Sequence, residues 1–363
     1  MGKKLKFVDL SAMHHLIDGL TFKVSRCAEV LDSSLIELNK KTKIPATIVK
    51  WNQKGMNPAL FPSLPIDGRL IIEVTQTFNK NTGKTLHACT VLNKKDEAQS
   101  APVVFFIMKS FALDIPMRLE IPLRALLKGR GSLNGTYSVY LHGLFADNGE
   151  EFVYYGITRR GWNKRFMEHV TASTRDQSKR LFPRKLGDLI SARAAEMNNV
   201  SDSRPKLSGI ITALCAVGLS EDQAMDAEEY LVDKYSLSSK YGKGLNMIPG
   251  GYEGVRSLHK LSIQTGPDSI DTESREELLD RYLHDHPRIG VPNPGVAEKW
   301  NDPGYAEAVI CGRENRLTAD QVREIRYLSA LGYPADKIQE KVGAIDNGQV
   351  QRVLDRRTYS RIN

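Results

Sequence analysis

Two tyrosines in short strand-like runs, Tyr140 and Tyr154, precede a stretch in which Arg165 and His169 stand four residues apart. A guanidinium fork and an imidazole on one helix face, beside two phenol hydroxyls, suit a phosphate group better than they suit a core. Further on, Glu228 falls among apolar residues at helical spacing, where an ionised carboxylate is costly unless it is ion-paired or binds a metal. Taken singly, each of these side chains has an ordinary role in packing or on a solvated helix edge. Their order is what suggests phosphodiester chemistry.

The elements that must position them are legible locally. Residues 137–141 and 152–157 are β-branched and aromatic, and Ala146-Asp147-Asn148-Gly149 between them is a turn cluster, so an antiparallel hairpin is expected. After Gly161, Trp162, Phe166 and Val170 form one helical stripe with Arg165 and His169 on the neighbouring stripe. Residues 209–217 are a continuous apolar run of strand length. Ser220-Glu221-Asp222-Gln223 then reads as a capping box that opens a helix. Along that helix Ala224, Ala227, Leu231 and Tyr235 make the apolar stripe on which Glu228 lies. Asn246 follows, shortly before Gly250-Gly251.

Residues 132–252 as a whole resemble the GIY-YIG nuclease family. The resemblance is carried by Ser138-Val139-Tyr140, Tyr154-Tyr155-Gly156, Arg165 with His169, Glu228, and Asn246 before the glycine pair. Ser138 stands where the family's first glycine is usual, and the loop between the two tripeptides is slightly long. The resemblance implies an α+β fold with a small antiparallel nuclease sheet flanked by helices, and double-stranded DNA as substrate. It also implies a single magnesium or manganese ion held by Glu228. Tyr140 would be the general base and Arg165 would neutralise charge on the phosphate. Tyr154 and His169 would position phosphate or water, and Asn246 would buttress the site.

Composition bounds the rest. At 363 residues, 41% hydrophobic and 26% charged, the chain has the make-up of a soluble protein of several domains, with no apolar run of membrane-span length. Its four cysteines are widely spaced and lack a Cys-x-x-Cys pair, which argues against zinc or a disulfide framework and for a reducing cytosol, and the resemblance implies the cytoplasm of a bacterial or phage-infected cell. The net charge of +8 suits a polyanionic partner, and a basic belt containing Arg159, Arg160, Lys164, Lys179 and Arg180 follows the hairpin as a candidate DNA-backbone surface.

Residues 1–130 read as a mixed α/β domain, with strands at 69–78, 84–92 and 103–108 and no legible role. Residues 253–314 read as a linker carrying short helices at 273–284 and 296–300. Residues 315–363 open on the capping box Thr318-Ala319-Asp320-Gln321 and resemble the helix-turn-helix tails of phage-type and homing-type endonucleases. Their third helix would present Asn347, Gln349, Gln351 and Arg352 to a DNA groove, with Arg356 and Arg357 on phosphates. Two function classes fit: a site-specific endonuclease of homing, phage, restriction or repair type, or a catalytically inactive DNA-binding regulator or assembly protein on the same fold. Oligomeric state is left open, with a transient dimer among the states allowed.

Overall fold

The computed structural model describes residues 4–17, 23–55, 68–79, 83–93, 101–110, 112–174, 178–261, 274–285, 303–311, 316–359 and 362. The expected short helix at 296–300 lies outside them. The chain is α+β and separates into two compact units, Met1–Val291 and Pro292–Asn363.

The first unit opens with helices α1 (Leu10–Ile17), α2 (Val24–Thr42) and α3 (Ile44–Gln53). Its sheet begins with β1 (Arg69–Asn79), β2 (Gly83–Asn93), β3 (Val103–Ser110) and β4 (Ile115–Pro122), followed by the short helix α4 (Leu123–Leu126). The hairpin β5 (Tyr137–Ala146) and β6 (Glu151–Thr158) leads to α5 (Trp162–Thr174) and α6 (Leu181–Met197). Strand β7 (Leu207–Leu219), helix α7 (Glu221–Leu231) and a π-helical turn (Val232–Ser236) come next. Helices α8 (Gly251–Leu261) and α9 (Arg275–Asp285) close the unit.

The strands form one seven-stranded sheet in the order β2-β1-β3-β4-β7-β5-β6. The expected antiparallel nuclease sheet is therefore one flank of a larger mixed sheet. β5 pairs antiparallel with β6 and β7, while β4 runs parallel to β7, from Met117 opposite Ile210 to Glu120 opposite Ala213. The boundary expected near residue 130 is bridged by that pairing. The physical reason lies in β7, whose backbone needs hydrogen-bonding partners on both edges; β5 takes one edge and β4 the other. Trp162 ties the two parts further, its indole N–H donating to the Leu16 carbonyl at 2.7 Å.

Local signals explain the elements around the site. The hairpin turns at Gly149, whose φ of 85° is the left-handed region a glycine enters without strain. Helix α7 starts where the capping box places it: the Gln223 N–H donates to Ser220 Oγ at 3.3 Å and the Ser220 N–H donates to Gln223 Oε1 at 3.1 Å.

The second unit contains α10 (Pro303–Ile310), α11 (Ala319–Ala330), α12 (Ala335–Val342) and α13 (Asn347–Leu354). Val322, Ile325, Ile338, Val350 and Val353 are fully buried in its core. Thr318 forms its capping box with Gln321, and Gly343 turns the chain between α12 and α13 at φ 69°. Among the described residues of the whole chain, no helix is long and apolar enough to cross a membrane.

Candidate active site

Pairing of β5 with β6 sets Tyr140 opposite Gly156 and His142 opposite Tyr154. Tyr140 is buried at 1% exposure, and its ring fills the space a side chain at 156 would need: a Cβ there would lie 2.5 Å from the phenol oxygen. Seating a tyrosine in the neighbouring strand thus requires glycine at 156. Ser138, the departure from the family pattern, is buried opposite Thr158, so the strand accommodates its side chain.

The first turns of α5 carry Arg165 and His169 to the same place. Tyr140 and Tyr154 have ring centroids 6.4 Å apart, and Tyr154 and His169 5.2 Å apart. These four residues, Glu228 and Asn246 line a single cavity of about 60 Å³. The structure therefore brings together all six residues singled out from the sequence, although Asn246 is 91 positions from the strand it binds.

Asn246 is engaged by the backbone. Its side-chain oxygen accepts from the Tyr155 N–H at 3.0 Å and from the Ser236 hydroxyl at 2.6 Å, and its amide donates to the Tyr155 carbonyl at 2.8 Å. It clamps β6 to the loop after the π-helical turn, leaving the cavity's chemistry to the others. Glu228, 5% exposed, is reached from the glycine pair: the Gly251 N–H donates to its Oε2 at 2.8 Å. A Cβ on Gly250 would meet the Glu228 carbonyl oxygen at 2.5 Å, so only a glycine lets this loop lie so close to α7.

Two residues at the head of α9 complete the site, and both lie in the segment expected to be a linker. Arg275 Nη2 donates to Glu228 Oε2 at 2.7 Å. The ion pair that a buried carboxylate can demand in place of a metal is therefore present. Glu276 meets the other half: its carboxylate lies 3.1 Å from Arg165 Nη2, pairs with Arg180 Nη1 and accepts the Tyr154 hydroxyl. Arg180, expected on the DNA-facing belt, turns inward instead, its Nε donating to Asp280 at 2.6 Å. Sequence patterning hid these groups because Arg275-Glu276-Glu277 at a helix start has the look of a solvated surface.

His142 also escaped sequence reading, having no recognisable spacing to other ligating residues. It is fully buried, with Nδ1 2.9 Å from the Thr212 hydroxyl and its ring stacked on Phe182 at 5.5 Å.

Electrostatics divide the site into charged and neutral parts. Burial opposes ionisation of Glu276, yet His169, Arg180 and Arg165 outweigh it and hold the carboxyl well below its usual range. Burial lowers the His169 ring to about 4, with Glu276 opposing and Arg180 and Arg165 reinforcing, so the imidazole is neutral at physiological pH. Burial likewise pushes the Tyr140 phenol up, with Arg165 opposing and Glu276 and Glu228 adding to the rise. Tyr140 therefore keeps its proton, and His169 is a neutral ring with neither nitrogen hydrogen-bonded.

The buried ring of His169 makes stability depend on pH. Its folded pKa lies below its unfolded value of ~6.5, so the unfolded chain binds more protons between the two and stability is lost as pH falls through that window. The drop from pH 7 to pH 5 should be on the order of 2 kcal/mol for this ring, since it is fully buried. His142, also lowered by burial, adds in the same direction. Denaturant melts of wild type and His169→Phe at the two pH values measure it; an equal pH drop in both proteins would remove the assignment.

Of the expected DNA-facing residues, Arg159, Arg160, Lys164 and Lys179 are exposed. Arg160 pairs with Glu168 at 3.1 Å, and Arg159 lies over the Tyr137 ring. On α13, Gln351 and Arg352 are exposed, as are Arg356 and Arg357 beyond it and Asn347 at its start. Gln349 is not: its side-chain oxygen accepts the Ile345 N–H at 2.9 Å, closing the helix start that Asp346 caps. Comparison with protein-family models, curated proteins and solved structures finds no match for this chain.

Proposed function

We propose that this chain is a metal-dependent endonuclease of the GIY-YIG type, hydrolysing phosphodiester bonds in double-stranded DNA. The convergence of Tyr140, Tyr154, Arg165, His169, Glu228 and Asn246 on one cavity carries this reading. These residues come from two strands, two helices and a loop, and packing alone has no need of two phenols, an imidazole, a guanidinium and a carboxylate in one place.

A hard divalent cation would take the place of Arg275 at Glu228. Glu228 offers a carboxylate oxygen at the cavity wall, and since the Asn246 amide is spent on Tyr155, water would complete the shell, as magnesium or manganese prefers. When bound, the ion would supply positive charge to the non-bridging phosphate oxygens. Arg165 and Arg180, which already grip a carboxylate, have the planar donors that hold phosphate oxygens equally well. His169 would accept the proton of the attacking water. Tyr140 and Tyr154 would donate hydrogen bonds, orienting that water and the phosphate. Arg159, Lys164 and Lys179 would anchor the DNA backbone. In the second unit, α12 and α13 would act as a helix-turn-helix, with Gln351 and Arg352 at base edges and Arg356 and Arg357 on phosphates.

One observation favours the runner-up, a DNA-binding regulator without activity: Arg275 already neutralises Glu228. Incubating supercoiled plasmid and matched RNA with magnesium or with chelator decides between them, using wild type beside an Arg275→Met/Glu276→Gln double variant. Nicked or linear plasmid in magnesium alone, with RNA intact, is the expected result. No cleavage by either protein at any salt concentration would hand the case to the binder.

A further inference from the structure

We infer that α9 is an internal mimic of the metal and phosphate together, which closes the site and must leave for nucleic acid to enter; this rests on the nuclease reading above. Two consecutive residues supply the two charges in the right places. Arg275 puts a cation on the carboxylate that would hold the metal, at 2.7 Å, and Glu276 puts an anion on the guanidinium groups that would hold the phosphate. The Tyr154 hydroxyl donates to that same Glu276 carboxylate. The groups assigned to metal and phosphate are thus occupied by residues of α9.

The space agrees with the charges. The cavity of about 60 Å³ is walled in part by α9 itself, through Arg275, Glu276 and Leu279. With α9 in place, the groups assigned to hydrolysis face Arg275 and Glu276.

The way α9 is attached suits removal. Its buried apolar residues, Leu279 and Leu283, meet Leu258 in a small cluster apart from the main core. Much of the rest of its hold is ionic or polar: Asp280, one turn after Glu276, takes the Nε of the same Arg180 and accepts from the Ser178 hydroxyl and the Lys179 N–H. A polyanion competes for that arginine directly, whereas a neutral ligand does not. An internal carboxylate tethered in the chain acts at an effective concentration of order mM or higher, enough to mask a weak anion site.

The test uses the full chain, with calcium replacing magnesium so that bound duplex stays uncut. Glu276→Gln keeps the shape and removes the charge, so it should bind inorganic phosphate and a short blunt DNA duplex about tenfold or more tighter than wild type. In wild type, amide hydrogen exchange over residues 275–285 should accelerate when duplex is added, because α9 is displaced. That second measurement needs no variant and stands if Glu276→Gln fails to fold. Unchanged affinities, binding of neither probe by either protein, or exchange over 275–285 that stays constant or slows with duplex bound would overturn the inference. Tighter binding with α9 released, but no cleavage in magnesium, would keep α9 as the plug and remove the nuclease. Magnesium-dependent cleavage with α9 protected throughout would do the reverse.

Discussion

Glu228→Ala is expected to lose metal-dependent cleavage down to background and to lose stability as well, and a second substitution should separate the two. Removing the carboxylate strands Arg275, whose side chain is only 10% exposed, as an uncompensated buried charge. Breaking one half of such a pair costs about 3–5 kcal/mol, whereas replacing both charges with apolar groups of similar size is often neutral. The double variant Glu228→Met/Arg275→Met, which keeps the volume of both side chains, should therefore recover most of the stability in a thermal melt and none of the cleavage of supercoiled plasmid. A double variant that both folds and cuts at the wild-type rate would show that Glu228 serves the fold alone.

Arg165→Ala should reduce the single-turnover cleavage rate by about 10²–10³-fold, the scale of removing one preorganised donor from a developing oxyanion. The surroundings of Arg165 suit that role. Its side chain is 7% exposed, Nη1 is fixed by Glu168 at 2.8 Å, and Nη2 faces the position that Glu276 now fills. Because the fork geometry matters as well as the charge, Arg165→Lys should recover only part of the loss. The comparison is cleanest in a Glu276→Gln background, where α9 no longer holds a carboxylate against Arg165. A loss below about tenfold in that background would remove Arg165 from the chemistry, given the usual size of such effects.

The same network sets what a change of pH does. Glu276 is held ionised and His169 neutral by a shared environment, so acidification attacks the site from the histidine side first. Protonating His169 would place a third cation beside Arg165 and Arg180, with Glu276 as the counter-charge within reach at 3.7 Å.

Much of this arrangement is legible in the amino-acid sequence, and the legible part has a common character. The β5–β6 hairpin, the capping boxes at Ser220 and Thr318, the apolar stripe on α5 and the buried face of α7 that carries Glu228 are all short-range patterns. Period, turn residue and cap each act over a few residues, where sequence and backbone geometry are tightly coupled. From those alone come the strands that hold Tyr140 and Tyr154, the helix face that pairs Arg165 with His169, and the expectation that Glu228 needs a cation.

Which cation reaches Glu228 was a matter for the tertiary structure alone. Arg275 is 47 residues away, and Glu276 lies 122 residues from the tyrosine that donates to it. Their arrival depends on a loop that crosses α7 at Gly250 and Gly251, a close approach that only the folded chain displays. The joining of residues 1–130 to the hairpin in one sheet has the same origin, since a strand's second edge takes whichever partner the fold brings to it. Gln349 behaves likewise in the second unit: helical spacing placed it with the groove-facing residues, but its side-chain carbonyl closes the start of its own helix. Residue types and their local spacing set out the groups on which the proposed chemistry rests. Long-range packing, which balances buried charge and satisfies backbone edges across distances no local pattern encodes, decided that α9 sits where that chemistry would occur.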